Sequence, residues 1–390
     1  MKPIFVFNAE HDMALANDDH HFVAPQNIRE MTRDLTPLME VMTTDRLTVW
    51  GWDRAVTTHL LKQGIAPSEL PTEEALTRLR NQSERNTAHH LLRQFREQHS
   101  TDTFIGESLI VHTFEEIAQY ATQHGHILLK APLSGSGKGL RHVNVNKEDI
   151  DNENRGLTKT HVTEKSESSL TSSLKKVKSW AEALILRHGY LTAEPYYDKI
   201  QDFAMEFRMD AEGCHFIGYS LFNTDRHGRY IESLLMSDEA IEEYLTQYLP
   251  TEAYHEVRKW IIGHWQNIIP SEWDTSQHPL YFGIDMMIVN NQQPTDSKVQ
   301  KHKLHPCVEI NLRLNMGIIA HELYRQRLSH ESKGVFRLAF FPDTPALRAF
   351  SHEQAAQHPA SYREARLQHG YLPLTPINEG TRHHAYIICE

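Results

Sequence analysis

The chain has 390 residues, 39% hydrophobic and 23% charged, with a formal net charge of −11 and three cysteines. Such a length exceeds one small core and divides into two or three domains, and the acidic balance argues against a nucleic-acid-binding surface, which needs clustered Lys and Arg. No run approaches the roughly 18 apolar residues of a membrane span, and acids follow the short apolar N-terminus too closely for a secretory signal.

Cys214, Cys307 and Cys389 are odd in number and widely spaced, which suits a reducing cytoplasm and not a disulfide framework. The 27 histidines show neither HExxH nor Cys/His zinc spacing and read mostly as surface residues.

In chain order, "KPIFVFN" and "LTVWGWD" are short strands, with a helix over "DRAVTTHLLKQG". They predict a small α/β domain over residues 1–80. "FNAEHDMALAND" sets Asn8, Glu10, His11 and Asp12 directly after the first strand, where ligands gather in open α/β sheets. Four polar groups exceed what one helix cap needs, so the cluster is a candidate grip on an amine or amino acid. The plain alternative is that Asp12 or Glu10 caps the helix "DMALAN".

Helices follow over "NTAHHLLRQFREQ" and "TFEEIAQYATQHG", the second opened by Thr113 with Glu116 three residues on. "HILLKAPLSGSGKGLRHV" is strand, Gly-Ser loop, strand, and residues 146–173 form a polar loop or disordered excursion. "LKKVKSWAEALILRHG" puts Leu174, Val177, Ala181, Leu184, Ile185 and His188 on one helical face, and Gly189 can end it. Residues 191–236 alternate like antiparallel strands ("FAMEFRMD", "CHFIGYSLFN", "RYIESLLM"), followed by helices near 238–248 and 252–268. "PLYFGIDMMIVN" and "HPCVEINLRLN" are strands joined by a polar link, the last 60 residues give few signals, and there is no internal repeat.

Two features carry chemistry. Glycines let a backbone approach phosphate oxygens closely, and a lysine adds a point charge; the loop Ser134, Gly135, Ser136, Gly137, Lys138, Gly139 has both. It is not a P-loop, since Pro132 and Gly139 stand where Gly and Ser or Thr are required, and it is not GxGxxG. A flexible hairpin loop is the plain alternative.

The second feature is Asp285 on one strand with Glu309, Asn311 and Arg313 alternating on the next. Polar side chains repeated along one face of apolar strands are costly without a partner. Mg²⁺ fits, taking one or two carboxylates plus nucleotide phosphates, with Arg313 beside the charge on the phosphoryl oxygens. The plain alternative is a solvated face with a Glu309–Arg313 salt bridge.

The order of strand lysine, Gly-rich loop, Glu before an antiparallel sheet, strand Asp and E-x-N-x-R resembles the ATP-grasp superfamily. The resemblance rests on "ILLKAPLSGSGKG", "LTAEPYYDKIQDFAMEFRM", "GIDMMIV…VEINLRLNMG" and the lead-in "GESLIVHTFEEIAQYATQHGH", over about residues 80–330. It implies mixed α/β and α+β architecture: two α+β subdomains sandwiching ATP, after a small N-terminal α/β domain. The corresponding segments are 1–80, 81–190 with the loop, 191–335 with the metal site, and 336–390 packing on the core.

By the same resemblance Lys130 contacts the α- and β-phosphates and Ser134–Gly139 the β- and γ-phosphates. Glu194 faces the adenine amino group, Tyr196 or Tyr197 offers backbone to the adenine edge, and Asp202, with Glu206 as rival, takes the ribose. Asp285, Glu309 and Asn311 hold Mg²⁺, with Mn²⁺ a substitute, and Arg208 holds the γ-phosphate or a substrate carboxylate. Lys138 departs from the small residue common in the family, and the polar excursion is a second departure.

The implied reaction joins a carboxylate to an amine or amino acid through an acyl phosphate, positioning and neutralising charge without a protein nucleophile. An ATP-grasp small-molecule kinase and a nucleotide-binding partner protein without turnover are the rivals. The expected partners are small molecules in the cytoplasm, with no nucleic acid and no membrane, and a homodimer is left open.

Overall fold

The computed structural model describes residues 3–42, 47–135, 139–145, 172–225, 230–291 and 300–390. The expectations placed on Ser136, Gly137 and Lys138, and on all of the polar excursion except its last two residues, lie outside the described residues. Those two, Ser172 and Ser173, open a helix that runs to His188.

Near the N-terminus, strands β1 (Ile4–Val6) and β2 (Leu47–Val49) pair in parallel. Helix α1 (His11–Asn17) follows β1, and α2 (Gln26–Leu35) leads towards β2. Asp53 caps α3 (Arg54–Lys62) by accepting from the Val56 amide, Thr72 caps α4 (Glu73–Gln82), and α5 (Arg85–Gln98) follows.

A second layer is the antiparallel sheet β3 (Leu109–Val111), β6 (Leu191–Pro195), β4 (His126–Lys130) and β5 (Leu140–Asn144), in that spatial order. Its one face buries Ile127, Leu129, Val143 and Leu191 against α6 (Phe114–His124) and the helix Ser172–His188. Thr113 caps α6 as the spacing predicts, but Glu116 accepts from the His112 amide at 2.6 Å instead of from Thr113.

The largest sheet is built of β7 (Lys199–Asp210), β8 (Gly213–Thr224), β9 (Tyr230–Leu235), β10 (Leu280–Asn290), β11 (His302–Asn311) and β12 (Gly334–Phe340). β13 (Ser361–Arg363), β14 (Arg366–Pro373) and β15 (His383–Cys389) complete it, in the order β11-β10-β7-β8-β9-β12-β15-β14-β13. Thus the C-terminal residues extend the central sheet. Alternation sends Phe203, Met205 and Phe207 of β7 and Phe282, Ile284 and Met286 of β10 into one apolar cluster with α3–α5 and the helices Asp238–Thr246 and Thr251–Gly263. The other set of β7 residues, Asp202, Ala204, Glu206 and Arg208, faces the opposite way. A small antiparallel sheet over a large one, after an N-terminal α/β segment, is the layout the resemblance implies.

Most of the described histidines are exposed or part-exposed, as expected, and three are the exceptions. His11, His305 and His384 are 2%, 0% and 0% exposed. His11 packs against Asp53, and His384 against Tyr371 and Thr375. Cys214, Cys307 and Cys389 are free. Among the described residues no helix is long and apolar enough to cross a membrane.

Candidate active site

Lys130 ends β4 on the face away from the small sheet's apolar cluster and is 3% exposed. Its ammonium lies 2.6 Å from Glu194 Oε2 and donates to the Val308 carbonyl at 3.1 Å. Glu194 is on β6, where Leu128 pairs with Glu194 and Lys130 with Thr192, so the two side chains are diagonal neighbours on one face. The Val308 carbonyl belongs to β11. Lys130 therefore joins the small sheet to the strand carrying Glu309.

On the large sheet, Asp285 is directly opposite Glu309 and Gly283 opposite Asn311. Asn311 Nδ2 donates to Asp285 Oδ2 at 3.2 Å. Burial raises the Asp285 carboxyl above its ordinary range, and the facing charges of Glu309 and Asp202 push the same way. Such a pair favours a cation between its members. Two carboxylates and an amide oxygen are hard donors that fit Mg²⁺ with phosphates completing its shell. Among the described residues no group of three His, Cys, Asp or Glu has metal-binding geometry.

In place of the alternative Glu309–Arg313 salt bridge, each side chain has another partner. Glu309 Oε1 meets Arg85 Nη2 at 3.0 Å. Arg313, just past the end of β11, makes a two-pronged contact with Asp12, Nε to Oδ1 and Nη2 to Oδ2, both 3.0 Å. Burial disfavours the charged Asp12, but the Arg313 guanidinium outweighs it and holds the carboxyl below its usual range. The Arg313 amide bonds the Asn311 carbonyl at 2.9 Å, and the Leu314 amide the Trp50 carbonyl at 2.8 Å, so the residue after β2 pins this turn.

The rest of the N-terminal cluster has other work. Asn8 Nδ2 donates to Gly51 O at 2.8 Å and to Asp53 Oδ2 at 3.0 Å, and His11 Nδ1 sits 3.0 Å from the same Asp53 oxygen. Asn8 and His11 are 5% and 2% exposed, so these contacts hold the β1–α1 turn to α3. Glu10 accepts from Thr32 Oγ1 at 2.9 Å. Asp12 remains on the cleft, beside Arg85, Ser134, Glu309, Asn311 and Arg313. A Cβ on Gly135 would collide with Asp12 Oδ2, so only a glycine lets the loop approach this closely.

Other candidates are spread along the sheet. Asp202 pairs with Lys199 and accepts from Thr224 Oγ1 at 2.8 Å. Arg208 lies on the same face four residues beyond Ala204, the partner of Asp285, which is about 13 Å along the strand; it meets Asp210 at 3.4 Å. Tyr196 is half-exposed, stacks on His126 at 4.1 Å, and gives its amide to the His126 carbonyl. That amide is spent within the sheet. Tyr197 is edge-on to His305 at 5.5 Å.

Glu206, the rival for the ribose, is 1% exposed and lies under the helix Met316–Arg327. Asn315 Nδ2 donates to Glu206 Oε2 at 2.8 Å, while Asn315 Oδ1 caps that helix by accepting from the Ile318 amide at 2.9 Å. Burial pushes the Glu206 carboxyl up to about 8. A Cβ on Gly283 or Gly317 would collide with its carboxylate oxygens. Sequence reasoning passed over Arg85 and Asn315. The cap was legible, since Asn precedes the apolar run of the helix; Arg85 offered no local signal.

No protein-family model matches the chain, and no curated protein matches it. Among solved structures it is similar to N5-carboxyaminoimidazole ribonucleotide synthetase from Thermus thermophilus, at 11% identity and TM-score 0.48, covering 100% of this chain and 94% of that one. It is also similar to a biotin carboxylase–β,γ-ATP complex from Campylobacter jejuni, at 12% identity and TM-score 0.47, covering 100% and 87%. A third is N5-carboxyaminoimidazole synthetase from Staphylococcus aureus, at 12% identity and TM-score 0.46, covering 100% and 92%.

Proposed function

We propose that the chain is an ATP- and Mg²⁺-dependent ligase of ATP-grasp type, joining a carboxylate to an amine or amino acid through an acyl phosphate and releasing ADP and phosphate. One observation supports this best. The buried Lys130 of the small sheet reaches the Val308 carbonyl, next to the carboxylate row Asp285–Glu309 of the large sheet. A cationic donor on one wall and paired hard-oxygen donors on the other is what a metal–polyphosphate needs.

In this reading Lys130 exchanges its Glu194 contact for inner phosphate oxygens, and Ser134 and Gly135 lie over the outer ones. Glu194 and the Tyr197 backbone then face the base, and Asp202 the ribose. Asp285, Glu309 and Asn311 hold Mg²⁺, which neutralises phosphate charge when bound. Arg313, fixed by Asp12, stabilises charge on the transferring group. Arg208 lies further along the same face, suited to a substrate carboxylate.

The test incubates the chain with ATP, Mg²⁺ and panels of carboxylic acids and amines. ADP and phosphate forming only when both partners are present supports the ligase, as does a hydroxamate from acid plus hydroxylamine. AMP and pyrophosphate contradict it. ADP with a stable phosphorylated product means a kinase.

A further inference from the structure

Arg85 opens α5 and is 8% exposed, yet its side chain reaches two segments, the residues after β4 and β11. Nε donates to the Ala131 carbonyl at 3.0 Å. Nη2 meets Glu309 Oε1 at 3.0 Å and faces both Ser134 O and Ser134 Oγ at 3.4 Å. The Arg85 amide donates to the Pro132 carbonyl at 3.0 Å.

Nη2 carries two hydrogens but has three acceptors around it. It is oversubscribed. Glu309, charged and at 3.0 Å, takes the near place, and the two Ser134 contacts stay at the outer limit of a hydrogen bond. Ser134 itself is wedged against Gly139, where a Cβ would collide with its Oγ, and the Ala131 amide bonds the Gly139 carbonyl at 2.9 Å. A shift at Ser134 therefore reaches the far end of the loop. Glu309 is also half of the carboxylate pair with the strongest claim on a cation.

We propose that Arg85 is a positioning residue that trades partners. It holds Glu309 while no divalent cation is bound, and turns fully to Ser134 once a cation takes that carboxylate, so that occupancy of the Asp285–Glu309 row sets the residues following β4. The inference rests on the reading of that row as a metal site.

The test uses Mn²⁺ alone with the full chain and no nucleotide, counting free Mn²⁺ by electron paramagnetic resonance. Hydrogen exchange of the 131–135 amides is followed with and without the ion. Arg85→Gln removes the competitor, so it should bind Mn²⁺ about fivefold more tightly than the parent, the upper end for an ion pair with one part-exposed member. In the parent, Mn²⁺ should slow exchange at 131–135 several-fold; in Arg85→Gln it should have no effect. Arg85→Lys keeps a charge beside Glu309 but loses the fork, so its Mn²⁺ affinity should stay near that of the parent while the loop response disappears.

Unchanged or weaker Mn²⁺ binding in a folded Arg85→Gln overturns the proposal, as does a parent loop that ignores Mn²⁺. If Arg85→Gln does not fold, a loop response surviving in Arg85→Lys overturns it. Asp285→Asn separates the two levels of the argument. Parent-like Mn²⁺ binding in that variant removes the metal reading and this inference together. Loss of binding there, with Arg85→Gln unchanged, removes the partner exchange alone.

Discussion

Asn315 serves two structures at once, and its replacement can be dissected. Its Oδ1 caps the helix Met316–Arg327, and its Nδ2 is the hydrogen-bond donor to the buried Glu206. Asn315→Ala loses both. A lost N-cap costs about 1 kcal/mol, and a buried polar group left without its partner costs about 1–3 kcal/mol, so the sum is about 2–4 kcal/mol. Asn315→Ser keeps a cap acceptor and loses the reach to Glu206, so it should recover about 1 kcal/mol of that loss. Asn315→Asp also keeps the cap, and the Glu206 proton, held up to about 8, can bridge the two carboxyls; its cost should be small near pH 6 and grow above pH 8. Urea denaturation followed by tryptophan fluorescence reads all three, provided the slopes agree and only the midpoints move. Asn315→Ala costing less than about 1 kcal/mol, or Asn315→Ser matching it, would refute the double role.

Other predictions are simpler. Glu309→Gln should lower turnover by at least about 100-fold with its circular dichroism unchanged, because in the proposed reading it weakens the Mg²⁺ site and removes half the carboxylate pair; near-normal turnover would rule out the metal assignment. His384, fully buried beside Tyr371 and Thr375, is held down to about 4 by burial. A histidine depressed on folding gives stability that is present above its unfolded value of about 6.5 and lost as pH falls towards 4, here about 3 kcal/mol. Denaturation at pH 7 and pH 4.5 should show a shallower loss in His384→Gln, and equal losses would contradict the assignment. Cys307 and Cys389 are 5% and 1% exposed, and burial raises both thiols, so a thiol reagent should modify them only on unfolding; rapid labelling of the native chain would show that the strands open.

Much of the fold was legible because local pattern and tertiary burial agree. The alternation of "FAMEFRMD" and "CHFIGYSLFN" falls within β7 and β8, and the face of the helix Ser172–His188 buries Leu174, Val177 and Ala181 as its spacing predicts. Gly189 follows that helix at φ +86°, a conformation glycine tolerates best. That Asp285, Glu309 and Asn311 share one face was also readable, since each alternates with apolar residues along its strand. What escaped were partnerships between distant segments. Asp12 and Arg313 are 301 residues apart, and neither carries a mark of the other. The N-terminal polar cluster pointed to a substrate grip because four polar groups exceed one cap, whereas Asp53 and Thr32 engage three of them. The last 60 residues were opaque for another reason: β12–β15 take their register from a sheet already begun by β7–β9.

In the proposed reading, one metal–nucleotide is held between Lys130 on the small sheet and the Asp285 row on the large one. Calorimetric titration with a non-hydrolysable ATP analogue, with and without Mg²⁺, tests it most directly in the parent, Lys130→Met and Asp285→Asn. The parent should bind the analogue in a Mg²⁺-dependent way, and either substitution should weaken binding at least about tenfold. Absence of binding to the parent, or binding that neither substitution changes, would contradict that reading.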